Sequence, residues 1–225
     1  VLAMLIGVAL GATLAVMRMS PNPVLRGVAW VYLWIFRGTP VYVQLVFWGL
    51  LGSLYQSINV GFAEVELEPL LKNAFLLAVL GLGLNEAAYM AEIVRSGISS
   101  VPEGQMEASK ALGMSWGMTM RRTVLPQAMR IIIPPTGNEL ISMLKTTSLV
   151  SVIALPELLY SVQNIYARTF EVIPLLMVAT VWYLVILTAL SIVQHHIEWH
   201  FSRGALRNPP PSLFATIYRT FLPRK

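Results

Sequence analysis

Residues 103–127 read EGQMEASKALGMSWGMTMRRTVLPQ. The stretch is polar and basic, and it lies between apolar runs long enough to cross a bilayer. Lys110, Arg121, Arg122 and, just beyond, Arg130 give it a strong positive bias. The positive-inside rule therefore places it on the cytoplasmic side. Met106, Ala108, Ala111 and Leu112 favour helix, and Gly113 is a natural stop or sharp turn. A second helix from Trp116 is expected to close at Leu125-Pro126. Two short helices in a loop do not bury themselves. Their apolar faces call for the bilayer surface or for a groove on a partner.

The flanking runs follow from the composition. The chain has 225 residues, 56% hydrophobic and 12% charged, with a mean hydropathy of +0.66. Soluble domains carry about 25% charged residues. The expected class is an all-α membrane protein with about five transmembrane helices. Net charge is +5. Every Lys and Arg except Lys72, Lys145 and Arg168 falls in a segment assigned to the cytoplasm. The basic excess thus reads as topology, with no nucleic acid as partner. The chain has 0 cysteines, so it has neither a disulfide framework nor a Cys-based metal site.

Residues 1–17 form an apolar run with no basic residue before it, read as a spanning helix that the numbering enters part-way and not as a signal peptide. Gly7, Gly11 and Ala12 suit close helix packing. Arg18 marks its cytoplasmic end, and Ser20-Pro21-Asn22-Pro23 is a breaker. Residues 24–36 are too few to span. With Trp30, Tyr32 and Trp34 they suit an interfacial helix. Arg37-Gly38-Thr39-Pro40 turns the chain into a second span, 41–55. An acidic, weakly structured external connection, 57–72, carries Glu64, Glu66 and Glu68. The third span, 70–94, holds Asn85, Tyr89, Glu92 and Ser96 on one stripe with Glu86 on its flank. Ionisable groups in a span normally face a bundle interior or an aqueous cavity. Glu92 is expected to pair with Arg95 near the cytoplasmic end, whereas Glu86, deeper, is a pathway candidate.

Pro134-Pro135 is expected to reset the chain before a fourth span, 137–155. Asn138, Ser142 and Lys145 share a stripe there, flanked by Thr146 and Ser148. A lipid-facing Lys costs on the order of 3 kcal/mol, so the stripe faces protein or water. Hydrogen bonding between helices is the plainer role for each hydroxyl. Pro156 ends the span, 157–171 is a second external connection, and 172–196 is the fifth span. His195, His196, Glu198 and His200 close it beside Trp199. They read as an interfacial cap, and no metal is expected. Residues 205–225 suggest a basic amphipathic helix on the inner leaflet.

The loop carries Glu107-Ala108-Ser109, then Gly113, then Thr123-Val124-Leu125-Pro126. This resembles the "EAA" loop of permease subunits of bacterial ABC importers: EAA, three residues, Gly, nine residues, I-x-L-P. Ser109 stands where that pattern has its third Ala, and Thr123 where it has Ile. The segment Phe36-Arg37-Gly38-Thr39-Pro40, with Gln44 soon after, resembles the FRGTP signature of the polar amino-acid branch. Lys145-Thr146-Thr147-Ser148-Leu149 is similar to that branch's KDTSL, with Thr146 in place of Asp. The resemblance runs from Phe36 to about Gly204.

The resemblance implies a type I importer-like permease domain over 1–204, with the 103–127 loop coupling it to an ATPase and 205–225 as a cytoplasmic tail. It implies an inner-membrane, multi-pass location. The implied partners are an ABC ATPase dimer, a second permease subunit (the same or a homologue), an extracytoplasmic solute-binding protein, a polar amino-acid substrate and membrane lipid. The chain lacks a G-x-x-x-x-G-K-[ST] motif, so ATP and Mg belong to the partner and the chain itself is no enzyme. Coupling falls to Glu107, Ala108, Ser109, Gly113, Leu125 and Pro126. The substrate path falls to Glu86, Tyr89, Asn138, Ser142, Lys145, Thr146 and Ser148. The alternative is an ATP-independent secondary transporter or channel using Glu86 and Lys145. A membrane enzyme would need Glu86, Glu92 and the histidines to meet, and their expected depths differ.

Overall fold

The computed structural model describes residues 1–54, 57–59, 64–66 and 73–202. These are helical apart from one small ribbon, where β1 (Ser57–Asn59) and β2 (Glu64–Glu66) pair antiparallel with Ser57 opposite Glu66. The connection read as weakly structured therefore contains a strand pair. The expected tail, 205–225, lies outside the described residues. Among those described, three helices are long and apolar enough to cross a membrane, and a fourth span appears if one bent pair counts as one. A shorter apolar helix covers Val41–Leu51. This is roughly consistent with about five spans, although the bent pair covers 116–169 and not 137–155.

Two compact units are distinguished, Val1–Glu92 with Ser142–Leu184, and Ile93–Ile141 with Val185–Lys225. In the first, α1 (Leu2–Met19) packs on α4 (Ala74–Ser99) through small residues. Ala3, Gly7, Gly11 and Ala15 recur every fourth position, and all are buried. A Cβ on Gly11 would stand 2.5 Å from Met90 Cβ and 2.9 Å from the Ala87 carbonyl. Only a residue without a side chain lets the two backbones approach so closely. Next, α2 (Pro23–Gly38) starts at an Asn22 cap, whose Oδ1 accepts from Val24 N–H at 2.9 Å. Its Ala29 and Leu33 join Leu14, Ala87, Ala88 and Ala91 in one core. The opposite face leaves Trp30 and Trp34 exposed and stacked on each other. Helix α3 (Val41–Leu54) buries Leu45 against Gly81 and brings Gly49 close to Ile153.

The second unit gathers the loop. It contains α5 (Glu103–Ala111), α6 (Trp116–Thr119), a π-helical turn (Met120–Val124) and the start of α7 (Leu125–Thr146). Val101, Val124, Ala128 and Ile132 form its core, with Met106 and Met120 packed against them.

Prolines bring the largest corrections. The helix from Trp116 does not close at Leu125-Pro126. It widens into the π turn and continues as α7. In a regular α-turn the Pro126 ring would press on the carbonyl of Arg122, and the wider turn relieves that contact. Pro134-Pro135 does not reset the chain either, since both lie inside α7. The missing N–H groups are those that would serve the Arg130 and Ile131 carbonyls, and side chains bond two neighbouring carbonyls. Thr136 Oγ1 donates to the Ile132 carbonyl at 2.7 Å, and Gln194 of α9 (Val172–Ser202) donates to the Pro134 carbonyl at 3.0 Å.

The fourth span is not one helix through residue 155. Helix α7 ends at Thr146, and a 3-10 segment covers Thr147–Ile153. Ala154 then turns with φ 56, and α8 (Leu158–Thr169) follows at a 47° bend. The second external connection is therefore mostly helix. Glu157 caps α8 by accepting from Leu159 N–H at 2.9 Å and Tyr160 N–H at 2.6 Å, and it also accepts from Tyr183 Oη at 3.0 Å.

Candidate functional site

The loop element is built by local chemistry. Helix α5 ends where Gly113 adopts φ +72, a left-handed conformation that disfavours any residue with a Cβ. Gly113 N–H donates to the Lys110 carbonyl at 2.9 Å, and Met114 N–H to the Ser109 carbonyl at 3.1 Å. This pair of crossed bonds is the Schellman ending of a helix. Ser115 Oγ then caps α6 by accepting from Met118 N–H. The turn pushes apolar side chains outward: Leu112 is 81% exposed and Trp116 68%. Glu107, Ala108, Leu125 and Pro126 are exposed as well. Nothing lies within 4 Å of a Cβ built on Gly113, so its requirement within this chain is conformational and not one of space.

Ser109 differs from its neighbours in being buried, at 4% exposure. Its Oγ donates to the Gln105 carbonyl at 2.8 Å and lies 3.0 Å from Thr123 Oγ1. The two places where the loop departs from the EAA pattern are therefore in contact. The sequence shows them as separate changes 14 residues apart.

Of the expected pathway residues, Glu86 is buried at 7% exposure. It packs against α1, where a Cβ on Gly7 would meet its Cγ at 2.6 Å. Tyr89 is 37% exposed and lies beneath the Arg37 guanidinium, 5.6 Å from the ring centre. Asn138, Ser142 and Lys145 are all exposed along one face of α7, as their 4-3 spacing requires. Thr146 Oγ1 donates to the Ser142 carbonyl at 3.1 Å, and Ser148 Oγ to the Lys145 carbonyl at 2.8 Å. Both hydroxyl protons are thus committed to the chain's own backbone, which leaves these oxygens as acceptors.

Two groups of contacts were not foreseen. The break between α2 and α3 leaves carbonyls without helical partners. Gln44 Nε2 satisfies those of Phe36 and Thr39, each at 3.1 Å, and Asn85 Nδ2 reaches the Phe36 carbonyl at 3.0 Å and Gln44 Oε1 at 3.2 Å. Asn85, placed on one stripe with Tyr89, Glu92 and Ser96 by its spacing, thus holds a turn. Glu92 pairs with Arg18 and also with Arg37, the latter at 3.6 Å. These groups line an open groove of about 350 Å³ with Trp30, Leu33 and Trp34. The available signal was that Arg18, Arg37 and Glu92 all fall at helix ends assigned to one side. At the end of α9, His196 lies against Trp199 and His200 against Phe201, and Glu198 accepts from Gln194 at 2.9 Å.

A family model described as the inner membrane component of binding-protein-dependent transport systems matches residues 7–203. The chain is 71% identical over 209 residues to the arginine transport system permease protein of Corynebacterium glutamicum, a match covering 92% of this chain. It spans 66% of that relative's length, just under two thirds. Identity is 39% with the L-cystine transport system permease protein of Bacillus subtilis, covering 90% of this chain and 82% of the relative. It is 37% with the histidine/lysine/arginine/ornithine transport system permease protein of Escherichia coli, covering 83% and 77%. Among solved structures, an amino acid ABC transporter crystallised with histidines gives a TM-score of 0.74 at 35% identity, covering 88% of this chain and 86% of that one. An inward-facing methionine ABC transporter has the same fold, with a TM-score of 0.69 at 18% identity over 89% and 88%.

Proposed function

The chain belongs to the inner membrane component family of binding-protein-dependent transport systems, and from that premise we propose that it is the membrane subunit of an ATP-driven importer for a polar amino acid, with arginine as the first substrate to test. The family makes it a multi-pass membrane protein of the amino-acid permease type. The observation that carries the rest is the loop: a Schellman-ended helix with Leu112 and Trp116 exposed at its turn. An apolar rim of this kind with the Glu107 carboxylate beside it suits a groove with basic edges. ATP and Mg are held by the partner ATPase dimer. Closure of that dimer moves the docked loop, and the spans exchange inward-open for outward-open states. A second permease subunit and an extracytoplasmic binding protein complete the assembly.

The substrate path in this reading uses Lys145 for the amino acid's carboxylate and Glu86 for a cationic group. Tyr89, Asn138 and Ser142 complete the hydrogen bonding, with Thr146 and Ser148 as acceptors. Glu86 is covered by α1 in the present conformation, so this path opens only when the packing at Gly7 loosens. The chain contributes no covalent chemistry.

The test is reconstitution. The permease, its co-purified ATPase and the binding protein are placed in proteoliposomes, and uptake of labelled arginine is measured with and without ATP. Uptake is expected only with the ATPase and ATP present. Uptake of any amino acid by the permease alone would replace this reading with a secondary transporter using Glu86 and Lys145.

A further inference from the structure

We propose that a polar seam of Gln105, Ser109, Thr123 and Gln127 clamps α5 to the foot of α7, so that the loop helix and the helix carrying Asn138 move as one body during transport. This rests on the importer reading above and concerns how motion leaves the loop.

The seam has two rungs on each side. Gln105 and Ser109 are one turn apart on α5, and Thr123 and Gln127 are one turn apart at the entry to α7. Ser109 Oγ spends its only proton on the Gln105 carbonyl at 2.8 Å. The 3.0 Å contact with Thr123 Oγ1 therefore has the threonine donating and the serine accepting. Gln127 Nε2 donates to the Thr123 carbonyl at 2.9 Å and reaches Gln105 Oε1 at 3.5 Å. The result is a chain of donors running from threonine to serine to backbone, each link polarising the next.

Apolar packing lies beneath this chain, through Met106, Met120 and Val124. Apolar contacts have no direction, and one helix can slide over another at little cost. Hydrogen bonds depend steeply on distance and angle, so they hold one register. Burial of Ser109 raises the penalty for breaking that register, because the separated hydroxyls would have no water to replace each other. The seam also spans the π turn, which contains Thr123. A widened turn has one backbone bond pattern out of step with its neighbours, and here its position is pinned from the side. Force applied to α5 then passes to α7 at this joint without being absorbed by the turn.

The chain has 0 cysteines, so a Ser109→Cys/Thr123→Cys pair can be oxidised alone within the permease. In proteoliposomes with the ATPase and binding protein, uptake per ATP by the oxidised pair is expected to exceed that of the reduced pair, whose thiols bond only weakly. Arrest of uptake on oxidation, reversed by reductant and absent from the oxidised wild-type complex, would overturn the seam as a rigid joint. Ser109→Ala, alone and with Thr123→Val, gives an independent arm. The single change is expected to lower both thermal stability and uptake per ATP, the latter about fivefold, the factor one net hydrogen bond carries. The double change removes both hydroxyls, so stability should recover while uptake per ATP stays low. Recovery of both together would make the seam structural only and overturn the proposal. Wild-type uptake without any ATPase would instead remove the importer reading itself.

Discussion

Gly113 shows how one residue sets the shape of the loop. Its φ of +72 closes α5 and turns Leu112 and Trp116 outward. A residue with a Cβ in that region costs on the order of 1–2 kcal/mol, and a β-branched one more. Gly113→Ala should therefore weaken the turn by about 1 kcal/mol while leaving the permease inserted and partly active. Gly113→Val should still insert but lose most uptake while its ATPase partner continues to hydrolyse ATP. Parallel assays of ATP hydrolysis and uptake would show this, and normal uptake by Gly113→Val would remove the loop from coupling. The side chain's own room is not at issue, since no neighbour lies within 4 Å of a built Cβ.

At the scale of elements, the joint between α2 and α3 concentrates the most polar bonding in the first unit. Gln44 is buried, and its two amide protons are shared among the Phe36 and Thr39 carbonyls and Thr39 Oγ1. Removing it leaves the Phe36 carbonyl to Asn85 alone and the exposed Thr39 carbonyl to water, a loss of about 1 kcal/mol. Gln44→Ala should lower the permease's midpoint of thermal unfolding, and Asn85→Ala should lower it by less. The two side chains share the Phe36 carbonyl and bond each other, so their effects should not add. Strict additivity in the double variant would show that they act at separate places. The family's FRGTP segment thus has a structural use here, apart from any tie to substrate.

For the whole molecule, the question is what a charged group inside a span is for. Glu86 is buried and packed on Gly7, whereas Lys145 is exposed on α7. If both serve the substrate, Glu86→Gln and Lys145→Met should each abolish uptake while leaving ATP hydrolysis stimulated by the loaded binding protein. If they form a strut, Glu86→Lys with Lys145→Glu should restore transport with unchanged substrate preference. Measuring both variants in the reconstituted complex decides between the two, and restoration by the swap would end the pathway assignment.

The sequence by itself determined the class and the order of segments. Apolar run length and the placement of Lys and Arg are local quantities, and the bilayer reads them directly. It also located the loop and the Gly113 turn, because a helix ending depends on a few adjacent residues. Only the tertiary structure decided the fate of the prolines. Pro126, Pro134 and Pro135 are breakers by local rule, yet all three lie inside one helix, with the π turn just ahead of Pro126. It also decided which polar groups meet. Arg18 and Glu92 are 74 residues apart, and Asn85 and Phe36 are 49 apart. Periodicity assigns a residue to a face of its own helix, but it cannot name the helix that covers that face. Asn85, which periodicity places only on a polar stripe, is a turn clamp, and Ser109 and Thr123, 14 residues apart, are one contact. Packing alone brings such partners together, because a buried donor that does not find its acceptor costs more than the bond it would make.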